Sequence, residues 1–376
     1  MSVLTRPGPA RTWAGFAIAA LVLFGLAPAV LSDFRLNLLA KFLCFAIVAA
    51  GIGLAWGRGG MLTLGQGVFF GLGAYMMAMH LKIADAEVRG DTVPDFMQIA
   101  GIRELPAYWV PFASPLVTLL AILLVPALLA LLLGLGVFKR RVKGAYFAIL
   151  SQALAAAFAI LLIGQQSTGG SNGLNRFRTF FGYDLSDPVN KRMLFFIVAA
   201  ILLLVVAATR QLMHSRYGEL LVAVRDQEER VRFLGYDPAT VKVVAYTVAA
   251  FFAGIAGAMF VPIVGIISPA DIGIVPSIAF LIGVAIGGRT TLLGPVLGAI
   301  GVAWAQTALS ENFPSAWTYA QGLLFIVVVG FFPPAGLAGL ATLRRRKRSG
   351  TDSPPATEPD SDPETPAENT EMEPAR

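Results

Sequence analysis

Long apolar stretches, separated by short charged segments, make up most of the 376-residue chain. A helix needs about 20 apolar residues to cross a bilayer core of about 30 Å. Ten stretches approach or reach this length: 13–31, 36–56, 60–81, 112–138, 144–163, 193–209, 240–262, 272–287, 291–309 and 318–333. The eighth is short and contains Pro276. The pattern predicts an all-α integral membrane protein, a polytopic bundle of about ten transmembrane helices.

The charged residues between the spans predict their orientation. Basic residues cluster after every second span, at Arg58, 139–143, 210–242, Arg289 and 344–348, with Arg6 and Arg11 before the first span. Cytoplasmic loops carry an excess of Lys and Arg, and the segment 82–111 is net acidic, so we expect both termini in the cytoplasm and 82–111 outside. The outer loop 164–192 is the exception because its bases outnumber its acids.

The two ends of the chain carry separate expectations. Residues 13–31 resemble a signal sequence, with Ala27-Pro28-Ala29 as a cleavage site, but the charge alternation requires them as a retained span. The spans place a membrane domain at 1–343, followed by a tail at 344–376 that is first basic and then acidic and proline-rich. From Ser349 onward the tail has six prolines and eight acidic residues, so we expect it to be disordered.

Composition excludes several function classes. Apolar residues make up 56% of the chain and charged residues 14%, against about 25% charged in soluble domains, which excludes a soluble enzyme. The net charge of +6 comes from clusters between spans and not from one basic face, so we expect no nucleic-acid partner. Cys44 is the single cysteine and there are two histidines, which leaves no catalytic set and no metal site to predict.

Polar residues inside the apolar stretches are few and uncharged. The candidates to line a path through the membrane are Thr63, Gln66, Ser151, Gln152, Thr168 and Asn172. Thr63 and Gln66 are three residues apart, which would place them on one helix face. Hydrogen bonds between helices would explain these side chains equally well. Lys41 lies near one end of the second span, where its stem can reach the interface as an anchor.

Small residues recur at helix-packing spacing within several spans. The rows are Gly67 with Gly71, Ala250 with Gly254 and Ala258, Ala253 with Gly257, and Gly294 with Gly298. Such rows allow helix backbones to approach closely in lipid. They predict one tightly packed bundle.

The chain has no residues for its own energy coupling. It contains no Gly-Lys dipeptide and therefore no phosphate-binding loop of that motif. A proton-coupled carrier needs carboxylates or histidines at membrane depth, and we expect none there. Transport against a gradient would therefore take its energy from a partner.

An amphipathic segment follows the sixth span. Between residues 215 and 235 the apolar positions recur at helical spacing: Tyr217, Leu220, Leu221, Val224, Val231 and Leu234. Charges of both signs occupy the other faces, which favours a protein groove over an anionic lipid surface. We name residues 215–235 the coupling segment.

These residues resemble the permease family of branched-chain amino-acid-type ABC importers. The similarity rests on the coupling segment, the Ala- and Gly-rich stretch 249–258, the stretch Thr-Gly-Gly-Ser-Asn-Gly-Leu at 168–174, and Gly-Gly-Arg-Thr-Thr-Leu-Leu-Gly-Pro at 287–295. Within the family, the stretches 93–97, 104–109 and 230–238 resemble most the second permease subunit of urea importers. The resemblance spans about residues 36–340.

The resemblance implies a subunit of a heteromeric importer in the bacterial cytoplasmic (inner) membrane. Its partners would be a homologous second permease, two cytoplasmic ATP-binding subunits that use ATP, and an extracytoplasmic substrate-binding protein; this chain itself would bind no cofactor. The residues expected to couple to the ATPase are Tyr217, Gly218, Glu219, Leu221, Val224, Arg225, Asp226, Glu229 and Gly235. Urea or a short-chain amide is the expected substrate. A branched-chain amino-acid permease, a passive urea channel and a membrane enzyme are the alternatives.

Overall fold

A computed structural model describes residues 9–312, apart from residue 143, and four later positions, 319, 322, 323 and 326. Apart from those four positions, the predicted tenth span and the tail lie outside the described residues.

The regular structure is almost entirely helical. The helices are α1 (Pro9–Ala20), α2 (Ala27–Val30), α3 (Asp33–Ile52), α4 (Gln66–Arg89), α5 (Asp95–Ile99), α6 (Pro115–Lys139), α7 (Ala145–Ile163), α8 (Pro188–His214), α9 (Arg216–Asp226), α10 (Glu228–Phe233), α11 (Pro238–Val264), α12 (Ile274–Gly287) and α13 (Leu293–Asn312). π-Helical turns at Leu21–Leu26 and Gly53–Arg58 continue α1 and α3. The strands are β1 (Leu174–Asn175), β2 (Thr179–Phe180), β3 (Tyr183–Asp184) and β4 (Ile266–Ile267), with β1 antiparallel to β4 and β2 antiparallel to β3.

Among the described residues, nine helical segments are long and apolar enough to cross a membrane. They are Trp13–Val30, Asp33–Arg58, Gln66–Arg89, Pro115–Lys139, Ala145–Ile163, Pro188–His214, Pro238–Val264, Pro269–Gly287 and Leu293–Ser310. The predicted all-α polytopic fold is confirmed. Two predicted boundaries are wrong: the third span begins at Gln66 instead of residue 60, and the sixth extends over Pro188–His214.

Aspartate and proline start the two longest spans, α8 and α11. Asp187 precedes Pro188 and accepts a hydrogen bond from the Val189 amide at 2.9 Å. Asp237 precedes Pro238 and accepts one from the Ala239 amide at 3.0 Å. A carboxylate at the N-cap satisfies an amide that the helix leaves unpaired, and proline is tolerated directly after it. The hydrophobicity of the sixth stretch alone missed this start because the first turn of α8 is polar.

Three spans form the centre of the bundle. In α3, α4 and α11, 78%, 83% and 72% of the apolar window is buried, against 22% in α6 and 6% in Trp13–Val30. The outer first span still packs on the bundle, since Phe24 stacks on Phe196 of α8 with ring centroids 5.7 Å apart.

Glycines bring the central backbones into contact. A Cβ atom on Gly73 would collide with the carbonyl of Gly254, and one on Gly257 would collide with the carbonyl of Phe70. A second pair of helices has the same packing, since a Cβ on Gly287 would meet the Gly294 carbonyl. The packing role predicted for the small-residue rows is thus confirmed at Gly254, Gly257 and Gly294, whereas Gly73 and Gly287 lie outside the predicted rows.

The helix ends fall into two groups at opposite ends of the bundle. Arg225 donates to the Gly57 carbonyl at 2.8 Å, and the Arg289 guanidinium lies 4.7 Å from the Trp56 ring centroid. We call this the basic end. At the other, distal end, Asn37 donates to the Ile263 carbonyl at 3.1 Å. The grouping is the one expected if consecutive spans alternate in direction.

Two stretches of irregular backbone interrupt the helices. Residues 59–65 separate the π-helical turn of α3 from α4, and residues 265–273 precede α12. The second stretch lies against the first turns of α4: a Cβ on Gly67 would meet the Ile272 carbonyl, and one on Gly71 would meet the Ile272 side chain. Irregular backbone is tolerated at membrane depth only where protein or a cavity surrounds it. These two stretches therefore locate the candidate site.

Candidate functional site

A polar cluster surrounds the start of α4. The Ser151 hydroxyl accepts from the Leu64 amide at 3.0 Å, and the Ser277 hydroxyl accepts from the Gly67 amide at 3.1 Å. Gln66 donates its side-chain amide to the Thr63 hydroxyl at 3.5 Å. The first amides of a helix lack partners within the helix, so these hydroxyls satisfy the buried start of α4.

The structure separates the six predicted path residues into two groups. Thr63, Gln66 and Ser151 belong to the polar cluster; Thr63 lies in the irregular stretch before α4, so the prediction of one shared helix face is wrong, although the two side chains touch. Gln152 is only half-buried. Thr168 and Asn172 lie at the distal end, where Thr168 is buried and donates to the Gln165 carbonyl at 3.0 Å. Ser277, which the sequence analysis missed, joins the first group from α12.

Within this cluster, one polar atom of Gln66 lacks a hydrogen-bond partner. Its Oε1 atom is buried and has no hydrogen-bond partner among the described residues. A buried amide oxygen without a partner is costly, so a water or a solute is the expected partner.

An amphipathic cavity of about 230 Å³ opens between α3, α4, α11, α12 and α13. Its lining is Lys41, Phe45, Phe70, Phe260, Ala270, Asp271, Val275, Pro276, Ala279, Phe280, Ala299, Val302, Ala303 and Gln306. Binding pockets for drug-sized ligands are about 300–1,000 Å³, so this cavity suits a smaller solute.

Four phenylalanines close the cavity toward the basic end. We call Phe45, Phe70, Phe260 and Phe280 the aromatic floor. Phe45 lies 5.3 Å from Phe280 and 5.7 Å from Phe260 between ring centroids, and Phe70 lies 5.2 Å from Phe260 and 5.6 Å from Phe280. Each pair is within the usual distance for aromatic contact, so the floor packs as one cluster.

The polar end of the cavity is formed by residues far apart in sequence. Lys41 follows Asp33 by about 12 Å along α3, which places it inside the span. Asp271 ends the short turn before α12, and Gln306 lies on α13. The interpretation of Lys41 as an interface anchor is therefore wrong: its side chain lines the cavity. The order Ser268-Pro269-Ala270-Asp271 is a capping-box pattern that could have indicated a helix start there.

Two charged residues near the distal end of α4, in the segment predicted to lie outside the membrane, are buried. Lys82 and Asp85 on α4 are each only 3% exposed. Lys82 pairs with Asp95 at 2.9 Å, and Asp85 accepts from the Arg178 amide, the Thr179 amide and the Thr179 hydroxyl at 2.7–3.0 Å. Both charges are fully partnered and tie the distal loops to α4, which indicates a structural role.

Burial and charge compete at Asp95. Partial burial alone would raise its pKa, but the hydrogen bond from Lys82 and the charges of Lys82 and Arg89 outweigh it and hold the pKa below the ordinary value. Asp95 therefore stays ionised at neutral pH, as its partner requires.

The coupling segment is two short helices, α9 and α10, with a break at Gln227. Leu221 is fully buried, Val224 is 1% exposed and Val231 is 3% exposed. They pack inside this chain, since a Cβ on Gly59 would meet the Leu221 side chain. The prediction that this apolar row is available to a partner is therefore wrong for these three residues.

Other predicted coupling residues divide between internal packing and the surface. Tyr217 donates to the Val241 carbonyl at 2.8 Å, and Gly218 contacts the Leu212 and Met213 carbonyls too closely for any Cβ. Glu219, Asp226 and Glu229 are exposed, and Gly235 has a positive φ of 88° that ends α10. The sequence analysis missed the exposed apolar residues Phe233, 90% exposed, and Tyr236, 55% exposed; Leu234, which it had placed in the apolar row, is 76% exposed.

Three arginines converge at the basic end. Arg58, Arg225 and Arg289 interact electrostatically, and the Arg58 Nε atom is buried without a partner among the described residues. Burial first, and then the charge of Arg225, lower the pKa of the Arg289 guanidinium. The cluster joins the coupling segment, through Arg225, to the ends of the spans at Arg58 and Arg289.

Comparison with known proteins gives a consistent match. A family model described as "Branched-chain amino acid transport system / permease component" matches residues 34–331. The "High-affinity branched-chain amino acid transport system permease protein LivM" of Salmonella typhimurium (strain LT2) is 26% identical over 362 residues. The protein of the same description from Escherichia coli (strain K12) is 26% identical over 360 residues. Both alignments cover 89% of this chain and 77% of the relative. No solved structure matches significantly.

Proposed function

Because the chain belongs to the permease family of branched-chain amino acid transport systems, we propose that it is the membrane-spanning subunit of an ATP-driven importer and that its substrate is an amino acid with a branched apolar side chain. The family match over residues 34–331 carries the proposal. The multi-pass fold supports it, because the described residues contain nine membrane-length helices.

The amino-acid substrate takes precedence over urea on two observations. Both relatives are named for branched-chain amino acid transport, and neither name mentions urea. The central cavity is lined largely by phenylalanine, alanine, valine and proline. Urea is small and polar throughout, so it gains little from an aromatic floor, whereas an apolar side chain loses its contact with water there.

Coupling to ATP completes the proposal. The complex comprises this chain, a homologous second permease, two ATP-binding subunits and an extracytoplasmic binding protein, in the bacterial inner membrane. ATP binds to the partner subunits and no cofactor binds to this chain. The basic end faces the cytoplasm, since its arginines follow the charge bias of cytoplasmic loops.

The exposed face of the coupling segment, with Asp226, Glu229, Phe233 and Leu234, contacts an ATP-binding subunit. Gln66 contacts the solute or its water, because its buried Oε1 has no partner among the described residues.

Uptake of two solutes tests the proposal. Cells that lack the gene and cells that carry it on a plasmid receive radiolabelled leucine or urea at micromolar concentration. We expect the plasmid to restore leucine uptake, and the uptake to stop when the catalytic residue of the ATP-binding subunit is replaced. Restored urea uptake without leucine uptake would favour the urea importer, and urea uptake that survives loss of ATP hydrolysis would favour a passive channel.

A further inference from the structure

The polar end of the cavity holds two opposite charges in fixed places. Asp271 Oδ2 accepts from the Ser268 amide at 2.9 Å and from the Ser268 hydroxyl at 2.7 Å, which anchors the carboxylate. Lys41 extends from α3, with Nζ 5.9 Å from the centroid of the Phe45 ring. Both side chains line the cavity.

The two charges do not neutralise each other by direct contact. Asp271 lies close enough to Lys41 to act on its charge, yet the ion pairs within 4.0 Å among the described residues include none between them. Lys82 and Asp95, by contrast, pair directly at 2.9 Å. Charged groups inside a membrane protein are costly unless they pair or serve a ligand. A gap between two unlike charges admits a ligand that carries both.

Another polar group lies near Asp271, outside the cavity lining. The Tyr75 hydroxyl is buried without a hydrogen-bond partner among the described residues, and it lies near enough to Asp271 to interact electrostatically. Gln306 adds an amide to the cavity wall. The Gln306 amide can donate to and accept from the polar headgroup of a small ligand.

The opposite end of the cavity is apolar. The aromatic floor lies on the side of Lys41 that faces the basic end. Ala279, Ala299 and Val302 complete the apolar wall. A ligand that fits both ends has two neighbouring groups of opposite charge and a short apolar branch.

We propose that this cavity binds the zwitterion of a small apolar α-amino acid, with Lys41 holding the carboxylate, Asp271 holding the ammonium group and the aromatic floor holding the side chain. The inference rests on the proposed amino-acid transport, and it assigns selectivity to the membrane subunit itself. A neutral solute leaves both charges unpaired, and a solute with one charge leaves one of them unpaired, so both are disfavoured.

Protection of a cysteine against a thiol reagent tests the site without relying on transport. Val275 lines the cavity and is 61% exposed, and Cys44 is fully buried, so Val275→Cys in a Cys44→Ala chain supplies one reactive thiol. The purified complex in lipid nanodiscs is treated with a small methanethiosulfonate. We expect leucine to slow the reaction, and Glu104→Cys, exposed in a distal loop outside the cavity, to react equally fast with and without leucine.

Two analogues then separate the charges. 3-Methylbutylamine lacks the carboxylate of leucine, and 4-methylpentanoate lacks the ammonium group. A lost hydrogen bond between charged groups weakens binding roughly ten- to hundred-fold, so each analogue should need that much higher a concentration for half-protection. Urea should not protect. Equal protection by leucine and either analogue would overturn the proposal.

Variants assign the charges to residues. Lys41→Met and Asp271→Asn should each weaken protection by leucine by a similar factor, and Lys41→Arg should retain most of it. Arg192→Met is the matched control, because Arg192 pairs with Asp33 at 2.7 Å at the same end but outside the cavity. Unchanged protection in both assembled variants would overturn the assignment, and a variant that fails to assemble leaves the decision to the analogues.

If the wild type takes up leucine but the cavity shows no such selectivity, this inference fails and the proposed function stands. If the wild type takes up no leucine, the proposed function fails.

Discussion

Individual charged residues in this protein are placed by partners that lie far away in sequence. Lys82 lies on α4, a membrane-length helix. Its ammonium group forms an ion pair with Asp95, which lies on a separate short helix, α5. Asp85, one turn further along α4, accepts hydrogen bonds from three donors in the loop that contains β2. The sequence indicated a polar outer segment from residue 82 because the helical pattern becomes charged there. It could not show that these charges are buried in pairs, since hydropathy reports each residue alone.

The first prediction concerns Asp95. Its folded-state pKa lies below the ordinary value of about 3.9, so its carboxylate stabilises the folded protein at pH values above about 4, and this contribution is lost as the pH falls through the lowered pKa. Asp95→Asn should therefore lower the free energy of unfolding by about 1–3 kcal/mol at pH 7, a range that allows for solvent screening of a side chain that is 37% exposed. Thermal unfolding of the purified complex in detergent at pH 7 and at pH 3.5 measures the difference, which should shrink at the lower pH.

Glu104→Gln is the control, because Glu104 is exposed in the same distal region and forms no ion pair among the described residues. It should leave the unfolding temperature at pH 7 unchanged. A difference between wild type and Asp95→Asn that stays the same at both pH values would show that the carboxylate charge contributes nothing.

Residue-scale prediction succeeded where partners are close in sequence and failed where they are distant. Thr63 and Gln66 were expected to lie together and do so. Lys41 and Asp271 are separated by most of the chain, and each, taken alone, resembles an ordinary residue near the end of a span. No periodicity relates two such positions, so only the packing of α3 against the segment before α12 reveals the cavity.

At the scale of elements, periodicity predicted which segments are helical but not which side of each helix is covered. The coupling segment has the expected helical spacing, and α9 and α10 follow it except at Gln227, where φ is −148°. The apolar row faces this chain's own core because the π-helical turn of α3 and the start of α11 cover it. What remains for another subunit is the exposed end of α10.

The second prediction concerns this exposed end. Phe233 and Leu234 have 90% and 76% of their surface exposed, so replacing them does not disturb the core. Phe233→Asp or Leu234→Asp should leave this subunit in the membrane at wild-type amounts but place a charge in the contact with the ATP-binding subunit, a cost of a few kcal/mol. We expect the ATP-binding subunit to be lost on affinity purification, together with substrate-stimulated ATP hydrolysis.

Leu221→Asp provides the contrast, since Leu221 is fully buried within this chain. It should reduce the amount of this subunit in the membrane instead of releasing a partner from an intact one. Full recovery of the ATP-binding subunit with Phe233→Asp and Leu234→Asp, at the wild-type rate of ATP hydrolysis, would remove this surface from the coupling role.

For the whole molecule, charge bias and alternation predicted the arrangement of the spans better than their lengths. The segments expected on one side, after α3, α6, α8 and α12, meet at the basic end through Arg225, Arg289 and the cleft that contains Phe138 and Lys242. The eighth span is short, as its sequence predicted: α12 has 14 residues, and irregular backbone at 265–273 precedes it. Hydropathy counts apolar residues and cannot distinguish a short helix from a helix with a broken start.

The third prediction fixes the orientation. In the Cys44→Ala chain, Asp91→Cys marks the distal end and Arg140→Cys marks the basic end, and both positions are exposed. In intact cells without their outer membrane, a membrane-impermeant thiol reagent should label position 91 and not position 140. Both positions should be labelled after the membrane is made permeable. Labelling of position 140 alone in intact cells would reverse the orientation of every span.

The glycine contacts join two pairs of helices into tightly packed blocks. Backbone lies on backbone between α4 and α11, at Gly73 and Gly257, and again between α12 and α13, at Gly287 and Gly298. Helices in such contact cannot slide without collision. Between the blocks, the aromatic floor closes the cavity toward the basic end by side-chain contact. The consequence is mechanical: we expect a solute to pass when one block rocks against the other and the aromatic floor parts along that seam. Spin labels at Val88 and Leu309 should change their separation when ATP binds, and labels at Val275 and Leu293, within one block, should keep theirs; the reverse result would place the moving seam elsewhere.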